Sequence, residues 1–229
     1  MGNSNEGVKI GYRIFSIKND GPMSEVALKP LIDFIVFQND EISLEEAIKS
    51  NSILELSIYN IATRSMRKVT VEPQILNEKT YLGISVRPED YSSAHVRVIH
   101  VLSFMEGSPL EKAGFIPNTD YILGTEQQTF NCLDDFEMFI KRNDGKFINL
   151  FVYNSDTDGV REIRTKPNSS WGGGGCLGGD FGFGSFHAIP KKVPLKKESD
   201  SDVKEDEDKK VQLENNDTVK SQQPSTELH

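Results

Sequence analysis

Two cysteines, one tryptophan and four histidines in 229 residues leave little material for a metal cluster, a disulfide framework or a redox centre. Cys132 and Cys176 stand in unlike contexts and are expected to be free thiols in a reducing compartment. His95, His100, His187 and His229 never fall into His-Glu-x-x-His, and no serine lies in Gly-x-Ser-x-Gly. Neither a hydrolase nor any cofactor is therefore expected. Lys and Arg number 26 against 35 Asp and Glu, a net charge of −9, so the electrostatic footprint of a nucleic-acid binder is missing. There is no run of 18 apolar residues and no signal-peptide pattern. The chain is expected to stay in the cytosol, with membrane contact only through an anchor or a partner. Two stretches imitate chemistry. Asp156-Thr157-Asp158-Gly159 resembles the start of a calcium loop, but Thr165 stands where the bidentate Glu belongs, and a hairpin turn is expected. The glycines from Gly172 to Gly184 are followed by no Lys-Ser/Thr and no helix pattern, which points to tight packing around Trp171 instead of a phosphate loop.

What is present is a unit written twice. Pro22, Pro30, Asp33, Phe34 and Ile35 return 87 residues later as Pro109, Pro117, Asp120, Tyr121 and Ile122. Leu56, Tyr59, Asn60, Arg67 and Pro73 return 94 residues later as Leu150, Tyr153, Asn154, Arg161 and Pro167. The drift is a seven-residue insertion between Ile122 and Leu150, around a helix, where surface insertions cost little. Leu82-Gly83 and Leu177-Gly178 close the two units. Two copies are too few for a solenoid, so each is expected to bury its own core.

The first copy reads as strand 12–17, a helical stub at 22–28, strand 34–37, helix 44–50, a hairpin of 54–59 and 66–71, and a strand 82–86. The second reads as 96–102, 109–114, 121–124, helix 133–142, strands 148–153 and 160–165, and a glycine-rich strand from Leu177. Short strands with one amphipathic helix per copy describe an α+β, mostly β fold: two tandem, partly open barrels. The predicted division is an N-terminal anchor segment 1–10, a first unit 11–92, a second 96–190 and a charged tail 191–229. That tail has almost no large apolar residue and is expected to be disordered, with Ser199 and Ser201 as modification candidates in an acidic context.

A strand opening with Leu-Gly offers backbone N–H groups that a carboxylate can approach past glycine. In Leu82-Gly83-Ile84-Ser85-Val86, alternation puts Leu82, Ile84 and Val86 on one face, and the helix carrying Leu44, Ala47 and Ile48 at i, i+3, i+4 spacing is its natural partner. A peptide C-terminus could add there as a further strand, as in PDZ domains. The second copy offers Leu177, Gly178, Gly179 and Phe181 opposite Leu133, Phe136 and Ile140. Spacing alone leaves open the plain alternative that these residues are only core.

The runs Ser108–Ile122, Tyr153–Ile163 and Pro167–Pro190 give the chain a specific resemblance to the GRASP domain of the Golgi reassembly and stacking protein family, across nearly all of residues 8–190. The resemblance implies two PDZ-like units in permuted strand order, with the carboxylate-binding strand last in each. It implies a peripheral protein on the cytoplasmic face of the Golgi membrane that binds C-termini of golgin-like coiled-coil proteins and self-associates in trans as a homo-oligomer. Family members carry Trp-Gly-Gly ahead of both Leu-Gly strands; here the first has Leu76-Asn77-Glu78-Lys79-Thr80 instead. The Met-Gly start makes Gly2 the myristoylation candidate for membrane association, although Glu6 occupies the position that favours Ser or Thr. The alternative is a soluble PDZ-type scaffold in transport or unconventional secretion without stable membrane anchoring.

Overall fold

The last strand of each sequence copy returns to lie beside the first. In the computed structural model, which describes residues 9–37, 44–50, 53–76 and 79–192, the first half runs β1 (Ile10–Ile17), a 3-10 turn (Pro22–Glu25), β2 (Asp33–Val36), α1 (Leu44–Ser50), β3 (Leu54–Asn60), β4 (Ser65–Val71), β5 (Gln74–Leu76), β6 (Lys79–Tyr81) and β7 (Ile84–Asp90). The second runs β8 (Ile99–Phe104), α2 (Pro109–Ala113), β9 (Asp120–Gly124), α3 (Leu133–Arg142), β10 (Ile148–Asn154), β11 (Gly159–Thr165), β12 (Gly179–Gly182) and a 3-10 turn (Ser185–His187). The sheets are open and five-stranded, ordered β4-β3-β2-β1-β7 and β11-β10-β9-β8-β12, with a separate ribbon β5-β6. Gly2 and all of the tail except Lys191 and Lys192, including Ser199 and Ser201, lie outside the described residues.

Local chemistry accounts for the elements. In β3 the buried residues Leu54, Leu56 and Ile58 alternate with Glu55, Ser57 and Tyr59, the period of a strand with one covered face. In α2, Ser108 caps the first turn by accepting from the Glu111 amide, Pro109 opens it, and Gly114 ends it with φ 80. Both helices carry acidic residues in the first turn and basic ones in the last, matching the helix dipole in α1 and α3. Several predicted strands differ in their start: β1 begins two residues earlier at Ile10, β8 begins at Ile99 instead of 96, and β7 and β12 begin at Ile84 and Gly179 because Leu82-Gly83 and Leu177-Gly178 form turns ahead of them.

The repeated polar residues form one bolt, used twice. Asn60 Nδ2 donates to Asp33 Oδ1 at 2.6 Å and Arg67 Nη2 to Asp33 Oδ2 at 2.7 Å. In the second half, Asn154 Nδ2 donates to Asp120 Oδ1 at 2.8 Å, and Arg161 reaches both oxygens of Asp120. Both aspartates are fully buried and take further amide donors, Lys29 N and Ile116 N. A bidentate guanidinium with these donors satisfies a carboxylate that burial would otherwise destabilise.

Each half buries a core as expected, Ile14, Ile35, Leu56 and Ile58 in one and Val101, Ile122, Leu150 and Val152 in the other. A third cluster joins them: Phe15, Phe34, Ile61 and Ala62 with Val98, Leu123, Tyr153 and Ile189. The separate-core expectation is thus incomplete, since the two sheets share apolar surface that neither would leave in water. Polar contacts follow the same seam. Lys29 Nζ lies 2.7 Å from Asp158 Oδ2 on the β10–β11 turn, and Thr129 Oγ1 donates to Glu89, which also pairs with the fully buried Arg13 at 3.0 Å.

Candidate peptide-binding grooves

Both Leu-Gly turns hold the same geometry. Gly83 has φ 76 and Gly178 φ 73, a left-handed conformation that favours glycine. The carbonyls are taken: Leu82 O accepts from Met23 N at 3.1 Å and Leu177 O from Leu110 N at 3.2 Å, while Gly83 O accepts from Lys18 N at 2.8 Å and Gly178 O from Met105 N at 2.9 Å. The amides of Leu82, Gly83, Leu177 and Gly178 donate to no described residue. Each turn therefore fixes its carbonyls inward and leaves N–H groups at the head of an edge strand. The strand beneath carries a bulge at matching places: pairing skips Phe15 between Ile14 and Ser16, and Leu102 between Val101 and Ser103.

In the second half a cleft of about 260 Å³ lies between α3 and β12. Of the residues expected at the second groove, Phe136, Ile140, Leu177, Gly178, Gly179 and Phe181 border this cleft, and Leu133 packs on the same core but does not line it. Phe181 meets Phe136 edge-on, ring centroids 5.1 Å apart, which makes an apolar floor. Glu137, Lys141, Gly175 and Cys176 also line it. Cys176, expected only as a free thiol, stands one residue before the Leu-Gly turn, and that position is the signal for its place in the cleft. Burial pushes its thiol above the ordinary range, so it stays protonated and weakly nucleophilic. Trp171 roofs the glycine loop, donating from Nε1 to Gly175 O at 2.7 Å and covering Gly178, where a Cβ would come within 2.4 Å of the indole.

In the first half Leu44, Ala47 and Leu82 are buried in one cluster, with Ile48, Ile84 and Val86 packed against it, while Ser85 points to solvent. Gly21 takes the place of the indole: its Cα would lie 2.6 Å from a Cβ on Gly83. The departure from Trp-Gly-Gly has a structural form, the ribbon β5-β6, which lies against α1 and exposes Ile75 and Leu76. Further along β7, Arg87 donates to Gln127 O on the β9–α3 loop. Pro88, which has no N–H, sits at the same point.

Residues 56–192 match the GRASP55/65 PDZ-like domain. The chain belongs to this family. It is 33% identical over 193 residues to Golgi reassembly-stacking protein 1 of Homo sapiens, covering 80% of this chain and 44% of the relative. The Mus musculus protein of that name is 34% identical over 189 residues, covering 79% and 42%. An uncharacterized protein of Schizosaccharomyces pombe is 25% identical over 187 residues, covering 79% and 53%. The chain spans about half the length of the curated relatives it matches. The family match and the two open five-stranded sheets agree on PDZ-like domains.

Proposed function

We propose that this chain is a Golgi tethering or stacking adaptor: a peripheral protein of the cytoplasmic face that binds free C-termini of golgin-like partners and pairs with its own copies across membranes. The reading takes residues 11–92 and 96–190 as two GRASP-type PDZ units, and Gly2 as a lipid anchor. One observation carries it, the recurrence in both halves of unsatisfied Leu-Gly amides at the head of an edge strand beside a helix. Such amides receive a carboxylate, the free strand edge takes the peptide backbone, and the apolar wall takes its last side chain. The names of the relatives support the Golgi setting. A single myristoyl chain binds membranes only marginally, with K of about 10⁴ M⁻¹, so a groove-bound membrane partner would supply the second attachment.

The test is calorimetry of a golgin C-terminal peptide with the full chain. Ile84→Asp puts a charge against the apolar wall, at a desolvation cost of several kcal/mol, and should abolish binding in the first groove. Amidation of the peptide should do the same. Equal affinity of wild type and Ile84→Asp removes the first groove from the proposal. Cell fractionation separates the adaptor from a soluble scaffold in transport or secretion, which would leave the chain off membranes.

A further inference from the structure

Trp171 serves two places. Besides roofing the glycine turn, it borders a second cleft of about 390 Å³, formed by α2, the end of β11 and the turn between α3 and β10. Lys112, Arg164 and Lys166 line this cleft together with Pro109, Phe147 and Trp171, and no acidic residue does. The three cations make no ion pair with a described residue. Two of them crowd one ring: the Arg164 guanidinium lies 4.3 Å and the Lys166 ammonium 5.7 Å from the centroid of Phe147, which is itself largely exposed. The neighbouring carboxylate of Asp144 is turned to other use, accepting from Ser169 N at 2.8 Å and Ser169 Oγ at 2.6 Å. On a chain of net charge −9, an unneutralised cationic concavity floored by aromatic rings is a local reversal of sign.

We propose that this cleft receives an acidic segment of a partner protein, whose carboxylates or phosphoserines meet Lys112, Arg164 and Lys166 while an apolar side chain rests on Phe147 and Trp171. The arginine can hold such an anion through two parallel hydrogen bonds, and stacking on Phe147 fixes its guanidinium plane beforehand. A protein segment fits better than a bilayer for two reasons. The cations line a hollow instead of a convex face, and the acidic chain as a whole is repelled by an anionic surface. This site is separate from the two grooves and needs no free C-terminus.

The full chain is titrated with short peptides blocked at both ends, so that none offers the carboxylate a groove requires: one rich in Glu with a single Leu, one with phosphoserine replacing Glu, and one with Gln throughout. Trp171 is the only tryptophan in the chain, and its emission reports the cleft directly. The Glu or phosphoserine peptide should change that emission saturably, more weakly as salt rises, and the Gln peptide should not. The double variant Arg164→Gln, Lys166→Gln replaces two exposed residues and should keep the melting temperature while weakening the acidic peptides by about tenfold or more. Peptides with a free C-terminus should bind that variant as they bind the wild type. No response to either acidic peptide, equal response to the Gln peptide, or undiminished binding by the double variant overturns the proposal. Emission that answers only to phosphatidylserine vesicles also overturns it, and assigns the cleft to a membrane.

Discussion

Asp33 and Asp120 show how a carboxylate repeated in sequence becomes structural in the fold. Each is fully buried, yet each is neutralised by an arginine that is only partly covered, and bound by an asparagine and a backbone amide. Removing the arginine leaves the carboxylate buried without its charge partner. Arg161→Ala should therefore cost about 3 kcal/mol or more in urea unfolding, whereas Asp120→Asn with Arg161 intact should cost less, because the arginine can turn to solvent. Gly178 is critical in a different way. An alanine there is strained by roughly 1–2 kcal/mol at φ 73, and its Cβ would press on Trp171 and on Ser108 Cβ, 2.7 Å away. Gly178→Ala should shift Trp171 emission and weaken C-terminal peptide binding in the second groove; unchanged emission would show that the indole does not rest on this turn.

At the scale of elements, the segment after β12 acts as a strap between the sheets. Gly184, with φ 86, turns the chain into the 3-10 turn, Ile189 enters the shared core, and Ile189 N donates to His95 O at 3.0 Å. Arg64 Nη2 holds Ile189 O at 2.9 Å and Lys192 N reaches Ala62 O at 2.9 Å. His95 sits under this strap with Nδ1 buried and unpartnered. Burial, then the charge of Arg64, lowers its pKa below the ordinary 6.5. The folded state thus prefers neutral His95, and the unfolded chain binds the proton first. Its contribution is complete above pH 6.5 and is lost as pH falls from 6.5 through the depressed folded value. Urea midpoints measured across that window should fall with pH, and His95→Gln should flatten the slope; an identical slope in the variant would assign the effect elsewhere.

At the scale of the molecule, the shared core and the contacts of Lys29 with Asp158 and Arg87 with Gln127 bind the two sheets into one body. A body of this kind, attached at one end, presents a defined face. Phe186 is an apolar side chain fully exposed on the strap turn. In the proposed adaptor, it and the adjoining strand β12 face an opposing membrane. Many weak contacts then form at effective concentrations that can reach the millimolar range. Vesicles carrying the chain by its N-terminus should cluster, and those carrying it by its C-terminus should not. Phe186→Asp should reduce the clustering. Clustering that ignores the attachment end would refute oriented pairing.

Composition and repetition by themselves determined the class of this protein. Helices 44–50 and 133–142 are found as predicted, because their apolar spacing is local information, and the paired Pro, Asp, Asn and Arg positions mark the same bolt in both halves. The lining of the second cleft was legible for a related reason: a glycine turn and an amphipathic helix each carry their own pattern, and the fold brings them together. The ribbon β5-β6 was not legible, since strands of three residues are too short to show an alternation. Nor were the shared core, the strap, the loop pressing on Arg87 or the cationic cleft. Each depends on residues far apart in sequence meeting at a seam or a hollow, and one residue's neighbours across such a gap leave no period to read. Alternation and glycine placement gave each half its shape, but only tertiary packing decided that Phe15, Ile61, Leu123 and Ile189 would lie together.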